Sequence, residues 1–286
     1  MKGRSILMAV LIALLIFGSF LILHNSSHES EPHSKLNPSK LRSFLESQYV
    51  PEVGLLRAAV KAYPDNETIY VANDNLLASR TLIALGSPLG KRILKNLEAN
   101  YSGGWNGKVD PLLGRPIDGF YCTETKKLGK VYSKKFNATF WVRYELANTS
   151  CRMGDWESYA DLLVYGALNE LIKGNENGAL ELYSRLLAMW DRNGFRDRAF
   201  DGVYQTYKCA LFVYLYRALD KPDKGRNVYS RCLEIISSLQ AENGGIITGY
   251  RVENREIIPV GDTNTETTSI VALALYSDYP EKLGKT

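Results

Sequence analysis

Four segments of the chain are apolar almost all the way round a helix, and each begins with a short run of acids and amides. They are residues 73–85, 154–171, 200–219 and 261–280. A helix that is apolar on every side is a buried helix. Three other segments, residues 91–100, 178–190 and 226–240, carry a single apolar stripe, which is typical of a helix that covers a core and faces water. The two kinds alternate along the chain, which indicates repeated helical hairpins.

The connections between these segments support the same interpretation. Each striped segment ends in Gly or Asn-Gly, in "NYSGGWNG", "DRNGFRDRAFDG" and "AENGGIITGY", as expected for left-handed helix C-caps. A further helix is predicted from Pro38. Residues 117–147 are different, because aromatic and β-branched residues alternate there with polar ones around the turn "KLGK". We therefore predict a small antiparallel sheet over 117–147.

Alternating buried and covering helices with polar starts resemble the six-hairpin glycosidase-like superfamily of α/α toroids, and more distantly the terpene-cyclase toroids. The resemblance covers about residues 70–277 and rests on the pattern alone. It implies a mainly α fold, an α/α toroid of repeated helical hairpins with a small antiparallel β insertion. With about four inner helices, the ring would be incomplete, or closed by the first helix and the sheet. In those families the inner helices begin at the substrate cleft.

The N-terminal sequence predicts that the domain lies outside the cytoplasm. Residues 5–23 are apolar and uncharged, long enough for a membrane-spanning helix. Lys2 and Arg4 precede the span and no basic residue follows before Lys35, so the positive-inside rule puts the rest outside. An uncleaved anchor over residues 1–23 fits better than a removed signal peptide, because no small-residue cleavage site follows; cleavage would give a secreted protein. Residues 24–37 then form a polar stalk and 38–286 the domain.

Two residue patterns agree with that compartment. The glycosylation pattern Asn-x-Ser/Thr occurs at Asn25, Asn66, Asn100, Asn137 and Asn148. The four cysteines are an even number, which favours pairing in an oxidising compartment. Cys122 and Cys151 flank the predicted sheet, and Cys209 and Cys232 lie at similar distances from one turn. We predict both disulfides; the alternative for the second pair is two buried free thiols.

Several kinds of chemistry find no support in the sequence. All three histidines lie between residues 24 and 33, so histidine bases and the usual zinc sites are excluded from the predicted domain. The net charge of +4 is spread along the chain and indicates no nucleic-acid partner. The Gly-rich returns lack the Lys and Ser/Thr of a phosphate loop. "ANDN" at 72–75 lacks the Gly and distant Glu of a calcium loop. No metal and no cofactor are predicted.

The polar helix starts provide the candidate site, since parallel buried helices would bring them to one end. Glycoside hydrolysis needs two carboxyl groups across the scissile bond, and the candidate catalytic residues are Asp155, Asp201, Asp262 and Glu266. Candidate substrate-binding residues, chosen as aromatic platforms or hydrogen-bonding groups, are Asp74, Trp105, Trp156, Phe195, Tyr204, Gln205 and Asn264. Each acid has a structural alternative as a helix cap, and Glu266 as part of a capping box.

Three functions remain open at this point. The first is a membrane-anchored enzyme that hydrolyses glycans through paired carboxylates. A lyase variant would use Tyr204 as the base and Arg196 and Arg198 to neutralise an acidic sugar. The second is a non-catalytic glycan- or peptide-binding module, and the third is a cell-surface scaffold. The expected partners are a carbohydrate ligand and, through the N-terminal helix, the membrane.

Overall fold

The described part of the protein is residues 36–277 of a computed structural model. The predicted membrane helix over 1–23, nearly all of the polar stalk and the sequon at Asn25 lie outside these residues. Between residues 36 and 277, no helix is long and apolar enough to cross a membrane.

Eight α-helices lie in the described residues. They are α1 Pro38–Ser47, α2 Leu77–Ala84, α3 Pro88–Asn100, α4 Ala160–Ile172, α5 Glu176–Ala188, α6 Thr206–Ala218, α7 Arg226–Ser238 and α8 Thr265–Tyr276. A single π-helical turn, Val71–Leu76, leads directly into α2.

The helices pack in pairs that follow the apolar patterns of the sequence. α2 packs on α3, α4 on α5 and α6 on α7, while α8 lies between α2 and α6, and α6 also contacts α4. α6 and α8 are buried on nearly every side, whereas α3 buries only the stripe that includes Ile93 and Leu97. The α2–α3 approach is very close, because a Cβ on Gly90 would lie 2.6 Å from the carbonyl oxygen of Ser79. Only glycine fits there without moving one of the helices.

Eight strands form three sheets. The strands are β1 Tyr49–Val50, β2 Leu55–Leu56, β3 Thr68–Tyr70, β4 Tyr121–Ser133, β5 Ala138–Arg152, β6 Tyr204–Gln205, β7 Ile247–Glu253 and β8 Glu256–Thr263. β1 and β2 form a small antiparallel pair, and the other two sheets have the orders β3-β5-β4 and β6-β7-β8. β3 is parallel to β5, and the remaining pairs are antiparallel.

The predicted fold class, a mainly α toroid with a small β insertion, is wrong. Helices of all kinds make up 47% of the described residues and strands and bridges 24%, in three separate sheets, which is a mixed α and β composition. The sequence interpretation missed the hairpin of β7 and β8: it assigned residues 247–250 to a helix return and 261–263 to the polar start of the last helix, and it gave residues 251–260 no element. Its turn residues Asn254 and Arg255 both have positive φ, as in the two-residue turns that suit β-hairpins.

The cysteines divide into one bonded pair and one pair of free thiols. Cys122 and Cys151 are disulfide-bonded and join β4 to β5, as predicted. The predicted bond between Cys209 and Cys232 is wrong, because both are buried free thiols. They do face each other across α6 and α7, since their side chains share a hydrogen bond. The Cys209 Sγ also lies 3.7 Å from the Tyr250 hydroxyl, so it packs as a small buried side chain.

Four of the five sequons lie in the described residues. Asn100 and Asn137 are exposed, whereas Asn66 and Asn148 are half-buried. Whether these asparagines carry glycans stays a prediction.

Candidate functional site

The starts of the buried helices bring several carboxyl groups into electrostatic contact. Asp74 lies in the π-helical turn before α2, Asp161 in the first turn of α4, and Glu266 in the first turn of α8. The negative charge of Glu266 raises the pKa of Asp74, and that of Asp161 raises the pKa of Glu266. Tyr207, in the first turn of α6, responds to both Asp161 and Glu266. Of the polar helix starts expected to meet at one place, Asp74 and Glu266 do interact, together with Asp161 and Tyr207, which were not among the expected residues.

Asp65, just before β3, and Glu145 on β5 complete this group, because their charges also raise the pKa values of Asp74 and Glu266. We refer to Asp65, Asp74, Glu145, Asp161 and Glu266 as the carboxylate cluster. Within residues 36–277, no three acids or thiols are arranged to hold a metal ion together.

Glu266 has the strongest acid–base signature in the carboxylate cluster. Burial raises its pKa to about 7, and the negative charges of Glu145, Asp161 and Asp65 act in the same direction. The ammonium group of Lys108 opposes them. The side chain is enclosed by protein but keeps partial solvent access. A carboxyl group with this pKa is partly protonated at neutral pH, so it can donate a proton.

Asp74 interacts electrostatically with Glu266. It is 4% exposed, and burial together with the charge of Glu266 raises its pKa well above the usual value for aspartate. Two carboxyl groups in such an environment do not both ionise readily, because each charge disfavours the other. The negative charge of Glu266 therefore helps to keep Asp74 protonated.

One face of the β3-β5-β4 sheet borders the carboxylate cluster. Trp141, Arg143 and Glu145 alternate along β5, so their side chains lie on the same face. The ammonium groups of Lys127 and Lys130 lie 5.6 and 4.2 Å from the centre of the Trp141 ring. Burial raises the pKa of Glu145, and Lys108 and Arg143 oppose this rise. The Trp141 ring, with two cations beside it, therefore lies on the same sheet face as Glu145 of the carboxylate cluster.

Two polar elements hold residues of the site in place. The hydroxyl of Tyr70 donates to Asp65 at 3.0 Å. The side chain of Asn106 donates to Asn73, next to Asp74, and its Oδ1 accepts from the backbone N–H of Lys108 at 2.9 Å. This arrangement fixes the loop that carries Lys108 beside the acids.

A buried ion pair joins the starts of α4 and α6. The Lys208 ammonium lies 2.6 Å from the Asp197 carboxylate, with side-chain exposures of 4% and 0%. The same carboxylate accepts a hydrogen bond from the backbone N–H of Ala160 at 2.9 Å. Since Ala160 precedes Asp161 and Lys208 follows Tyr207, the pair positions the two site residues relative to each other.

Of the four candidate catalytic acids, only Glu266 lies in the carboxylate cluster. Asp155 has a side chain that is 41% exposed and forms an ion pair with Arg198 at 2.5 Å. Asp201 is exposed and accepts from the backbone N–H of Val203 at 3.2 Å. These two acids have local structural roles.

Asp262 also has a structural role, because its carboxylate binds backbone N–H groups. It accepts hydrogen bonds from the N–H groups of Val60, Lys61 and Ala62. Burial alone would raise its pKa, but these hydrogen bonds lower it below the usual value. Asp262 therefore joins the residue 60–62 loop to the end of β8.

The polar residues among the substrate-binding candidates lie at helix starts. Asp74 belongs to the carboxylate cluster. Asn264 caps α8, since its Oδ1 accepts from the Thr267 N–H at 2.8 Å. Gln205 precedes α6, and its Oε1 is buried without a hydrogen-bond partner. Gln205 thus has an unused acceptor beside the site residue Tyr207.

The aromatic candidates have other surroundings. Phe195 is 3% exposed and packs against Trp190 and Phe212, so it is a core residue. Trp105 is half-buried, with the Arg115 guanidinium 4.7 Å from the ring centre. Trp156 packs on Phe120 at 4.8 Å between ring centres.

Tyr204 is not suited to act as a base. Its hydroxyl donates to Asp191 at 2.7 Å, and burial together with that carboxylate raises its pKa to about 12. Arg196 pairs with Asp191 at 3.2 Å, and Arg198 with Asp155. The groups required by the lyase alternative are thus engaged with other residues.

Several residues of the site were missed by the sequence interpretation, although some carried a signal. Asp161 is the only acid in the apolar run of residues 159–168, and Glu145 is the only acid on the alternating strand β5. Asp65 and Lys108 lie in connections without a distinctive pattern, so only the folded structure brings them to the site.

Comparisons with known proteins leave the site to be interpreted by its chemistry. The chain matches no protein-family model, no curated protein and no solved structure. The resemblance to the six-hairpin superfamily thus rests on the sequence pattern alone, and the fold class that it implied is corrected above.

Proposed function

We propose that this protein is a glycoside hydrolase in which Glu266 donates a proton to the leaving oxygen and Asp161 is the second carboxyl group of the reaction. The observation that carries the proposal is the pKa of Glu266, raised to about 7 among other carboxyl groups at the starts of buried helices. Glycoside hydrolysis requires two carboxyl groups, one of which donates a proton to the leaving oxygen.

The reaction assigns each group one task. As the bond between the sugar carbon and the leaving oxygen breaks, Glu266 transfers its proton to that oxygen. Asp161 takes a proton from the water that attacks the sugar carbon, so that carbon gains the hydroxyl of the water, and exchange with solvent then returns a proton to Glu266 and removes the one on Asp161. Asp161 lies in the first turn of α4, where the helix dipole stabilises a negative charge. The charge of Asp161 raises the pKa of Glu266, which supports placing the two carboxyl groups at one site.

The surroundings of the cluster suit a sugar ligand. The hydroxyls of Tyr70 and Tyr207 lie in electrostatic contact with its acids. Trp141, on the bordering sheet face, supplies a half-buried aromatic ring, and sugars stack on such rings through their apolar faces. A location outside the cytoplasm belongs to the same proposal and is supported by the Cys122–Cys151 disulfide.

Incubation with a panel of neutral and acidic polysaccharides tests the proposal, with new reducing ends as the readout. We expect the full-length protein to cleave at least one polysaccharide. Loss of a general acid or base typically costs a factor of about 10² to 10⁴, so Glu266→Gln and Asp161→Asn should lose at least 100-fold. The matched control is Glu98→Gln, at an exposed position on α3, and it should retain full turnover.

The panel also separates the other functions. Binding of a polysaccharide without cleavage by the wild-type protein would favour a non-catalytic binding module. Cleavage that survives both Glu266→Gln and Asp161→Asn would show that the reaction takes place elsewhere in the protein.

A further inference from the structure

A second concave site lies away from the carboxylate cluster. It is a pocket of about 300 Å³ between α4, α5 and the base of the β4–β5 hairpin. From α4 it is lined by Gly166, Asn169 and Glu170. Gly166 is five residues from Asp161, which places the two about 140° apart around the helix. The pocket and the carboxylate cluster therefore use different faces of α4.

The walls of the pocket are held by hydrogen bonds and by the disulfide. The Asn169 side chain accepts from the Ile117 N–H at 2.8 Å and donates to the Ile117 carbonyl at 3.0 Å. The backbone N–H of Met153 donates to the Phe120 carbonyl at 3.0 Å. Cys122–Cys151 closes the same region. A ligand would thus enter a preformed pocket and would not have to order these walls.

The floor of the pocket is aromatic. Trp156 packs on Phe120, and both rings line the pocket. A Cβ on Gly166 would lie 3.0 Å from the Trp156 ring, so the glycine lets the indole lie close against α4. Trp156, a sequence candidate for substrate binding, therefore belongs to this pocket.

The rim carries charges of both signs in nearly equal number, four acidic and three basic side chains. Arg185 forms an ion pair with Glu157, and Lys173 lies 4.0 Å from Glu170. Among the described residues, Asp118 and Arg152 have no ion-pair partner, and both are exposed at the opening. The pocket thus offers hydrogen-bond acceptors beside donors with little net charge.

We propose that this pocket binds a short stretch of a neutral oligosaccharide. Neighbouring sugar hydroxyls both donate and accept hydrogen bonds, which matches carboxylates beside guanidinium and ammonium groups. The apolar face of a sugar ring matches the Trp156–Phe120 floor. The near balance of charge gives no advantage to an anionic or a cationic ligand. The volume is at the lower end for small-molecule sites.

Binding at the pocket does not require catalysis. A second role rests on the proposed function: the pocket would hold one part of a polymer while the carboxylate cluster cleaves another part.

A pocket-filling variant with a matched control tests the site. Gly119 lines the pocket, and a Cβ there would have no contact closer than 3.9 Å, so the first atom of the new side chain in Gly119→Leu meets no clash. Gly154 lies outside the pocket lining, and a Cβ there would meet nothing within 4 Å, which makes Gly154→Leu the control. Arg152→Gln tests the rim by removing the charge while keeping N–H groups that can donate hydrogen bonds.

The probes for isothermal titration calorimetry are cellotetraose, maltotetraose, mannotetraose and N-acetylchitotetraose, with tetragalacturonate and an acidic tetrapeptide as charged comparisons. We expect at least one neutral probe to bind at one site, with an affinity that high salt leaves nearly unchanged. Gly119→Leu should weaken this binding at least 10-fold and Arg152→Gln several-fold. Gly154→Leu and Glu266→Gln should bind as the wild type does.

Three outcomes would overturn the inference. One is that none of the neutral probes binds, or that only a charged probe binds. Another is unchanged affinity in Gly119→Leu. The third is a loss of binding in Glu266→Gln but not in Gly119→Leu, which would place the sugar at the carboxylate cluster and leave the proposed function standing.

Discussion

The raised pKa of Glu266 has a consequence for stability that requires no substrate. The pKa rises from the usual 4.5 to about 7 on folding, which corresponds to about 3 kcal/mol at 1.36 kcal/mol per pKa unit. The folded state holds the proton more tightly than the unfolded state, so the favourable contribution is present below pH 4.5 and is lost as the pH rises through 7. Glu266→Gln cannot ionise and should lack this loss.

Urea unfolding at a series of pH values measures the effect. Between about pH 4 and about pH 8, the free energy of unfolding of Glu266→Gln should rise by about 3 kcal/mol relative to the wild type. In thermal unfolding this is roughly 6–12 °C, at about 2–4 °C per kcal/mol for a domain of this size. The control is Glu98→Gln, which replaces an exposed glutamate on α3. A difference between Glu266→Gln and the wild type that does not change with pH would refute the reasoning.

Three further predictions concern residues that support the site. Asp197→Asn leaves the Lys208 ammonium buried without its counter-charge and should cost about 3–5 kcal/mol in urea unfolding, whereas a cost below about 1 kcal/mol would contradict a buried ion pair. Asp262→Ala removes the acceptor of three backbone N–H groups and should cost about 2 kcal/mol near neutral pH while turnover is retained. Because its pKa is lowered, that contribution should fade as acid protonates Asp262, so equal costs at neutral and strongly acidic pH would argue against it. Replacing both Cys122 and Cys151 by Ser opens a loop with a sequence separation of 29 and should cost about 3.5 kcal/mol on the chain-entropy model, measured against the oxidised wild type; an unchanged unfolding midpoint would contradict it.

The helical elements could be predicted from the sequence because their apolar patterns are local. The buried runs in α6 and α8 have no polar face, so their burial follows from composition alone. The hairpin of β7 and β8 was missed because its two ends were assigned to a Gly-rich return and to a polar helix start, which left only residues 251–260 between them. Its alternation "ITGYRVE" and "EIIPVGD" is short, and the turn between them contains no glycine.

The site was only partly accessible to the same reasoning. Polar residues at the starts of buried helices identified Asp74 and Glu266, since both lie where the pattern placed them. The same rule also selected Asp155, Asp201 and Asp262, because a capping or surface acid and a functional acid look alike in sequence. Only the folded structure shows which acids are enclosed by other acids.

The most direct test of Glu266 as the proton donor is the pH dependence of kcat/KM for the polysaccharide that the protein cleaves. With Glu266 protonated in the active form, kcat/KM should fall by a factor of about ten per pH unit above about pH 7. An alkaline limb that begins near 7 in the wild type and is missing from the residual activity of Glu266→Gln would support the assignment. A kcat/KM that stays constant or rises well above pH 7 would contradict it.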